Sequence, residues 1–238
     1  MCTLVLLQRP RELLAISGNR NELLSRPATG PRLENGVLAP RDDLAGGSWL
    51  GLNRHRLFVC VTNRRGAMVD PSRKSRGLLV LEALQARSAR GLHQALRELR
   101  GDRHNGFHLV YADLDDAFVT WSDGHVVSQE RLQPGLVQVV TERSFGAGEG
   151  ARERSVAEAF ARLEPDVRGW RTPMTAHAKE PLESACVHAD AVGYGTRSSL
   201  QLMLRPDRAE ALWTDGHPCV NPARDISPLV AELLAPPG

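Results

Sequence analysis

The sequence predicts an α+β protein of antiparallel sheets with segregated helices. Two observations carry that prediction. Short apolar or alternating segments come in neighbouring pairs joined by polar turns, near both ends of the chain and in its middle. Helical periodicities stand apart from them in separate blocks, and no strand–helix–strand repeat is visible.

Taken in order, residues 2–7 are a short apolar run suited to a buried strand. Arg9-Pro10 begins a turn, 12–17 reads as a second strand, and Gly18 breaks it. The segment 25–44 holds Pro27, Gly30, Pro31, Gly36 and Pro40 and reads as mostly loop. After Gly46-Gly47, residues 48–52 and 57–62 read as paired strands around the polar turn Asn53-Arg54-His55-Arg56. Segments 76–86 and 92–99 carry apolar residues at helical spacing. Strands return as a meander at 107–112, 117–122 and 125–127. In 152–163, Val156, Ala159, Phe160 and Leu163 share one helical face. Prolines make 164–181 irregular, 197–204 and 209–214 read as strands, and 225–234 as a terminal helix. No Pro/Gly/Ser linker divides the chain, so one domain over 1–238 is expected.

Composition narrows the function classes. The 238 residues carry a net charge of +2, with 42% hydrophobic and 24% charged residues, which is ordinary for a globular protein. A disordered chain would be less apolar and more charged. No apolar stretch is long enough to cross a membrane. The near-neutral charge argues against a nucleic-acid footprint. Only Lys74 and Lys179 are lysines among 30 basic residues. That bias means either anionic ligands, which arginine grips bidentately, or a surface where arginine simply replaces lysine. The four cysteines (Cys2, Cys60, Cys186, Cys219) are scattered without a CxxC pair, so no metal site is expected. The start lacks a basic leader, and a reduced, cytoplasmic setting with free thiols is expected. His93, His125, His177, His188 and His217 stand isolated, and Gly106 interrupts the spacing of His104 and His108.

Cys2 is the most informative residue. Free cysteine is commonly a small buried hydrophobe. Removal of Met1 would instead make Cys2 terminal, with an α-amine of pKa about 7.7–8.0 as its own base. That is an activated nucleophile contained in one residue. Asn19-Arg20-Asn21-Glu22 follows the second predicted strand. If the first two strands pair, it places amide donors and a guanidinium near Cys2, where they would stabilise an oxyanion; otherwise it is a capped turn. Asn63 is an oxyanion donor or a turn residue, and Arg197 a carboxylate clamp or a surface ion pair. Dinucleotide, P-loop, zincin and serine-hydrolase signatures do not occur.

Read together, Met1-Cys2-Thr3-Leu4, Asn19-Arg20-Asn21-Glu22, Arg26-Pro27, Gly46-Gly47-Ser48-Trp49-Leu50-Gly51, Thr62-Asn63 and Tyr194-Gly195-Thr196-Arg197-Ser198-Ser199 resemble the NRDE family, also called the transport and Golgi organization 2 family. The resemblance spans nearly the whole chain. It implies an N-terminal-nucleophile (Ntn) hydrolase fold, an αββα sandwich whose cysteine members include penicillin V and bile-salt acylases. It further implies Cys2 as nucleophile and base, with Arg20, Asn21 and Asn63 as its catalytic neighbours. Asn19, Glu22, Trp49 and Arg197 are then the ligand-binding residues. Two departures stand out. Asn21 occupies the position of the family's aspartate, and His125-Val126-Val127-Ser128-Gln129 replaces a His-Gly-Leu-Ser-Asn stretch.

Two functional expectations follow. The first is an N-terminal-cysteine amidohydrolase acting on a small amide, with no cofactor required. The second, implied by the family's links to haem trafficking and lipid metabolism, is a carrier of haem or an acyl ligand. Haem would need an axial ligand such as Cys2, and no Cys-Pro haem motif is present.

Overall fold

In the computed structural model, which describes residues 2–67, 69–146 and 150–236, the apolar alternation of the strands sorts side chains onto two faces. The chain opens with β1 (Cys2–Arg9) and β2 (Leu13–Leu23), then β3 (Ala28–Glu34), β4 (Val37–Asp42), β5 (Leu50–Asn53) and β6 (Phe58–Asn63). Helices α1 (Arg76–Ala83) and α2 (Ala89–Ala95) follow, then β7 (Phe107–Ala112), β8 (Ala117–Ser122), β9 (Val127–Arg131) and β10 (Gln138–Val140). Helix α3 (Ala151–Phe160) and a 3-10 segment (Gly169–Thr175) lead to β11 (His188–Ala189) and β12 (Tyr194–Leu204). The chain then runs through β13 (Ala209–Asp215), β14 (Arg224–Asp225) and helix α4 (Ser227–Leu234).

One sheet has the order β10-β1-β2-β12-β13-β14, with β11 also on β12; the other runs β3 through β9 in sequence order. Their strands pair antiparallel throughout. Leu4, Leu6, Leu14, Ile16, Leu200 and Leu202 of the first sheet join Leu52, Phe58, Val110 and Val119 of the second in one buried cluster. The alternate residues Val5, Leu7, Leu13, Ala15 and Met203 pack instead on Val156 and Phe160 of α3 and on Trp170. Helix α1 lies against β5 and β6, and α2 against β8. The result is the expected helix–sheet–sheet–helix sandwich.

Three expectations about local structure are corrected. Gly18 does not end β2, which continues to Leu23. A side chain there would make only ordinary contact with Leu4 Cδ1 at 3.5 Å, so the site is compatible with an extended strand. The supposed loop 25–44 contains the β3–β4 hairpin, whose Gly30-Pro31 is absorbed by a register shift between Thr29 and Arg32. The third meander strand starts at Val127 rather than 125, because Asp123 accepts from the His125 and Val126 amides and prolongs the turn. Strands β10, β11 and β14, two or three residues each, carry too few residues to show an alternation. Met1, whose removal the nucleophile reading invokes, lies outside the described residues.

Candidate active site

The β1–β2 register sets Cys2 opposite Arg20. Cys2, Leu4 and Leu6 fall on the face that looks toward the second sheet, as do Ile16 and Arg20. The Arg20 guanidinium, 4% exposed, lies over the Trp49 ring with Cζ 4.1 Å from the ring centroid. A desolvated stack of this kind is a favourable cation–π contact. Arg20 Nη2 is 3.8 Å from Asp42 Oδ2, and Arg26 donates to the same oxygen at 2.8 and 2.9 Å. Burial pulls the Arg20 pKa below its ordinary value, while Cys2, Glu22 and Asp42 nearby oppose that drop. Arg20 Nη1 is buried without a hydrogen-bond partner among the described residues.

Trp49 is positioned by a backbone crossing. A Cβ on Gly47 would stand 2.4 Å from the Gly77 carbonyl carbon, so only glycine lets α1 approach this closely. The Ser48 amide donates to the Gly77 carbonyl at 3.1 Å, and Ser75 caps the helix by accepting from the Gly77 amide. The same crossing delivers Arg76 to the pocket wall. Its Nη1 donates to the Gly106 carbonyl at 3.0 Å. Burial lowers its pKa, and the proximity of Cys2 and Glu22 counteracts the fall.

These elements enclose a cavity of about 190 Å³ bordered by Cys2, Arg20, Asn21, Glu22, Trp49 and Asn63, all anticipated from the sequence. Its wall carries five cationic side chains (Arg20, Arg26, Arg73, Lys74, Arg76) against three carboxylates (Glu22, Asp42, Asp70). Asp42, Arg26 and Arg76 were not singled out as site residues. Arg26-Pro27 is visible as a motif, whereas Asp42 lies in a segment whose prolines and glycines suggest a loop and Arg76 has the pattern of an ordinary helix start.

Two anticipated residues lie elsewhere. Asn19 points to the opposite face of β2, where its amide donates to the Met174 and Ala185 carbonyls at 2.9 and 2.8 Å. That anchors the segment beyond α3 and leaves neither amide hydrogen for a ligand. Arg197 donates to the carbonyls of Leu24 and Arg26, which ties down the β2–β3 connection instead of clamping an anion. It lines a neighbouring cavity that meets the first at Arg20 and Trp49. Asn21 borders the Cys2 cavity, but its Oδ1 accepts from Thr196 Oγ1 at 2.7 Å. Glu22 accepts from the Leu23 amide at 2.9 Å.

The cysteines separate by environment. Cys60 is buried and its thiol pKa is pushed well above the ordinary value, chiefly by desolvation. The isolation of the remaining cysteines and of several histidines does not survive folding: His177, Cys186, His188 and Cys219 gather in one place, with His217 stacked on His188.

The αββα sandwich of two antiparallel sheets is an Ntn-hydrolase-like fold, and it sets Cys2 on the first strand beside a buried guanidinium. Solved structures of that kind share the fold. A Caenorhabditis elegans N-acylethanolamine-hydrolyzing acid amidase ortholog superposes with a TM-score of 0.51 at 12% identity, covering 86% of this chain and 93% of that one. A variant of conjugated bile acid hydrolase from Clostridium perfringens gives 0.54 at 11% identity, covering 98% and 94%. The profile of the Transport and Golgi organisation 2 family matches residues 1–212, and the chain belongs to that family. The human Transport and Golgi organization protein 2 homolog is 31% identical over 109 residues, 46% of this chain. The match covers only 36% of that relative's length.

Proposed function

We propose that this protein is an N-terminal-cysteine amidohydrolase acting on a small amide. The observation that carries the reading is the pairing of Cys2 with Arg20 on the wall of a cavity also bordered by Asn63 and Arg76. The fold it shares with an acid amidase ortholog and a conjugated bile acid hydrolase supports it.

In this reading Met1 is removed and the Cys2 thiol gives its proton to the freed α-amine. The sulfur adds to the amide carbonyl carbon while the carbonyl π electrons move to oxygen. Guanidinium and amide N–H groups on the wall, from Arg20 and Asn63, stabilise that oxyanion. Collapse of the intermediate breaks the C–N bond, and the amine leaves with the proton held by the α-ammonium. Water, deprotonated by the same amine, then cleaves the thioester and releases the acid. The surplus of cations on the wall favours an amide that carries an anionic group. The cavity volume of about 190 Å³ is below the ~300–1,000 Å³ of a site for drug-sized ligands. It therefore suits one end of a substrate or a small one.

The carrier reading finds less support. Haem requires an axial ligand, and among the described residues on this cavity's wall Cys2 alone qualifies. The test is intact-mass spectrometry of the purified chain together with an assay on N-acyl amides with and without a carboxylate. Expected outcomes are loss of Met1, a transient acyl adduct on Cys2 and no turnover by Cys2→Ala. Retained Met1, or hydrolysis that survives Cys2→Ala, would overturn the mechanism. A Soret shift on titration with micromolar haem would favour the carrier.

A further inference from the structure

Outside the Cys2 cavity, the fold assembles a second cluster of chemically capable side chains. His177, Cys186, His188 and Cys219 each present one ligand atom, and all four atoms lie within 4.8 Å of one another. Cys186 Sγ and Cys219 Sγ are 3.5 Å apart, Cys186 Sγ and His188 Nε2 3.7 Å, and His188 Nε2 and Cys219 Sγ 3.0 Å. A tetrahedral zinc with Zn–S of about 2.3 Å and Zn–N of about 2.0–2.1 Å has ligand–ligand edges of about 3.3–3.8 Å. Two of the observed separations fall within that range and the third, His188 Nε2 to Cys219 Sγ, lies 0.3 Å below it, so small side-chain adjustments would admit the ion. The donor set, two thiols and two imidazoles, is one of those that hold tetrahedral structural Zn²⁺.

The four ligands come from three segments, each held by backbone hydrogen bonds. His177 lies between two backbone anchors: the Cys186 amide donates to the Ala176 carbonyl at 3.0 Å, and the Ala178 amide to Ser184 Oγ at 2.9 Å. Cys186 and His188 flank Val187, whose amide donates to Thr196 Oγ1 at 2.8 Å and whose carbonyl accepts from the Thr196 amide at 2.9 Å. Cys219 sits in a turn closed by the Asn221 amide on the His217 carbonyl, and Arg171 grips that turn through the Pro218 and Asn221 carbonyls. Around these ligands, Asp190 and His217 lie within 4.8 Å of His188, and His217 stacks on it at 3.8 Å. Such neighbours orient ligating imidazoles in metal sites.

We infer that His177, Cys186, His188 and Cys219 form a structural Cys₂His₂ zinc site that clamps the 176–188 and 217–221 segments onto β12. Both cysteines are unpaired thiols, so binding Zn²⁺ converts two S–H groups to thiolates and releases two protons. Sequence spacing hides the site because no two ligands form a CxxC or HxxxH pair. The inference is independent of hydrolysis at Cys2.

The test uses the full chain, purified without a histidine tag. Metal analysis should find about one zinc per chain. After chelation, Co²⁺ should restore a visible tetrahedral d–d spectrum with a thiolate charge-transfer band. Chelation should lower the melting temperature by roughly 5–10 °C. Cys186→Ser and Cys219→Ser should lose the cobalt spectrum, and Cys60→Ser should keep it. The cobalt titration of the wild-type chain, with its release of two protons per metal, tests the site even where a variant fails to fold. The site is refuted by a chain that purifies metal-free and shows no response of spectrum or melting to micromolar Zn²⁺ or Co²⁺. A wild-type cobalt spectrum in the Cys186→Ser/Cys219→Ser chain refutes it as well.

Discussion

Arg20 is the side chain on which the contacts of the cavity converge. It faces Cys2 across the β1–β2 ladder, stacks on Trp49 and shares Asp42 with Arg26. Lysine would keep the charge but lose the planar face and the forked donors. Arg20→Lys should therefore lower kcat/KM for an N-acyl amide by roughly 10²–10³-fold, the range for losing one oxyanion donor. Asp42 stays paired with Arg26, while loss of the Trp49 stack should lower the melting temperature modestly, so the kinetics are compared at a temperature where both chains are folded. A kinetic effect below about threefold would remove Arg20 from the oxyanion site. The same residue shows what the sequence could and could not convey. The Asn19-Arg20-Asn21-Glu22 run looked like one cluster converging on Cys2. Because these residues belong to a strand, alternation sends Arg20 to the cavity and Asn19 to the far face. Reading Gly18 as a breaker concealed this, since a turn would have allowed all four to converge.

At the scale of elements, a single buried asparagine joins the β5–β6 hairpin to the helices. Asn53 Oδ1 accepts from the His55 and Leu57 amides at 2.9 and 3.1 Å. Its Nδ2 donates to the Leu84 and Ala86 carbonyls at 2.8 and 2.7 Å, just past the end of α1. Asn53→Ala would orphan several buried polar groups and should cost about 3 kcal/mol. For a chain of this size that is a fall in melting temperature of roughly 6–12 °C, readable by calorimetry. A shift under about 2 °C would mean that water replaces the side chain. Elements with strong alternation and plain turns, such as β1, β6, β7 and β8, were legible in the sequence. The β3–β4 hairpin was not, because its prolines and glycines were read as breakers. Yet Asn35-Gly36, both with positive φ (51° and 74°), is a two-residue turn of the kind that signals a hairpin. Pro40 is tolerated because β4 pairs with β5 only at Val37 and Leu38. The cavity was half legible for a related reason. Residues on β1, β2 and β6 were found by motif, while Asp42 and Arg76 reach it through a register and a backbone crossing that depend on long-range packing.

For the whole molecule, buried imidazoles predict a stability that depends on pH. His108 on β7 is fully buried, with Nε2 2.8 Å from the Ser144 carbonyl and Nδ1 3.1 Å from Thr62 Oγ1. A carbonyl only accepts, so Nε2 carries the proton. The Thr62 hydroxyl has one proton to share between Nδ1 and the Thr141 carbonyl 3.3 Å away, and burial of the ring favours the neutral form in which Nδ1 is the acceptor. Desolvation, with a smaller push from Arg64, lowers its pKa to about 4. The unfolded chain keeps an ordinary value near ~6.5, so between these two values it binds more protons than the folded one. Stability therefore rises with pH across that window and is lost as pH falls through it, by roughly 3 kcal/mol in total for this residue. Burial shifts His93 and His104 in the same direction, so their contributions add with the same sign. Carboxylates held low by hydrogen bonds, such as Asp123 and Asp225, also lose stabilisation on acidification, but below the histidine window. Urea unfolding of wild type and His108→Gln at pH 4.5, 5.5 and 7 separates these terms. The variant should be the less stable at pH 7 and should show a visibly shallower decline toward pH 4.5. Parallel stability curves for the two chains would show that His108 folds with its proton, and the hydrogen-bond assignment at Thr62 would then have to be reversed.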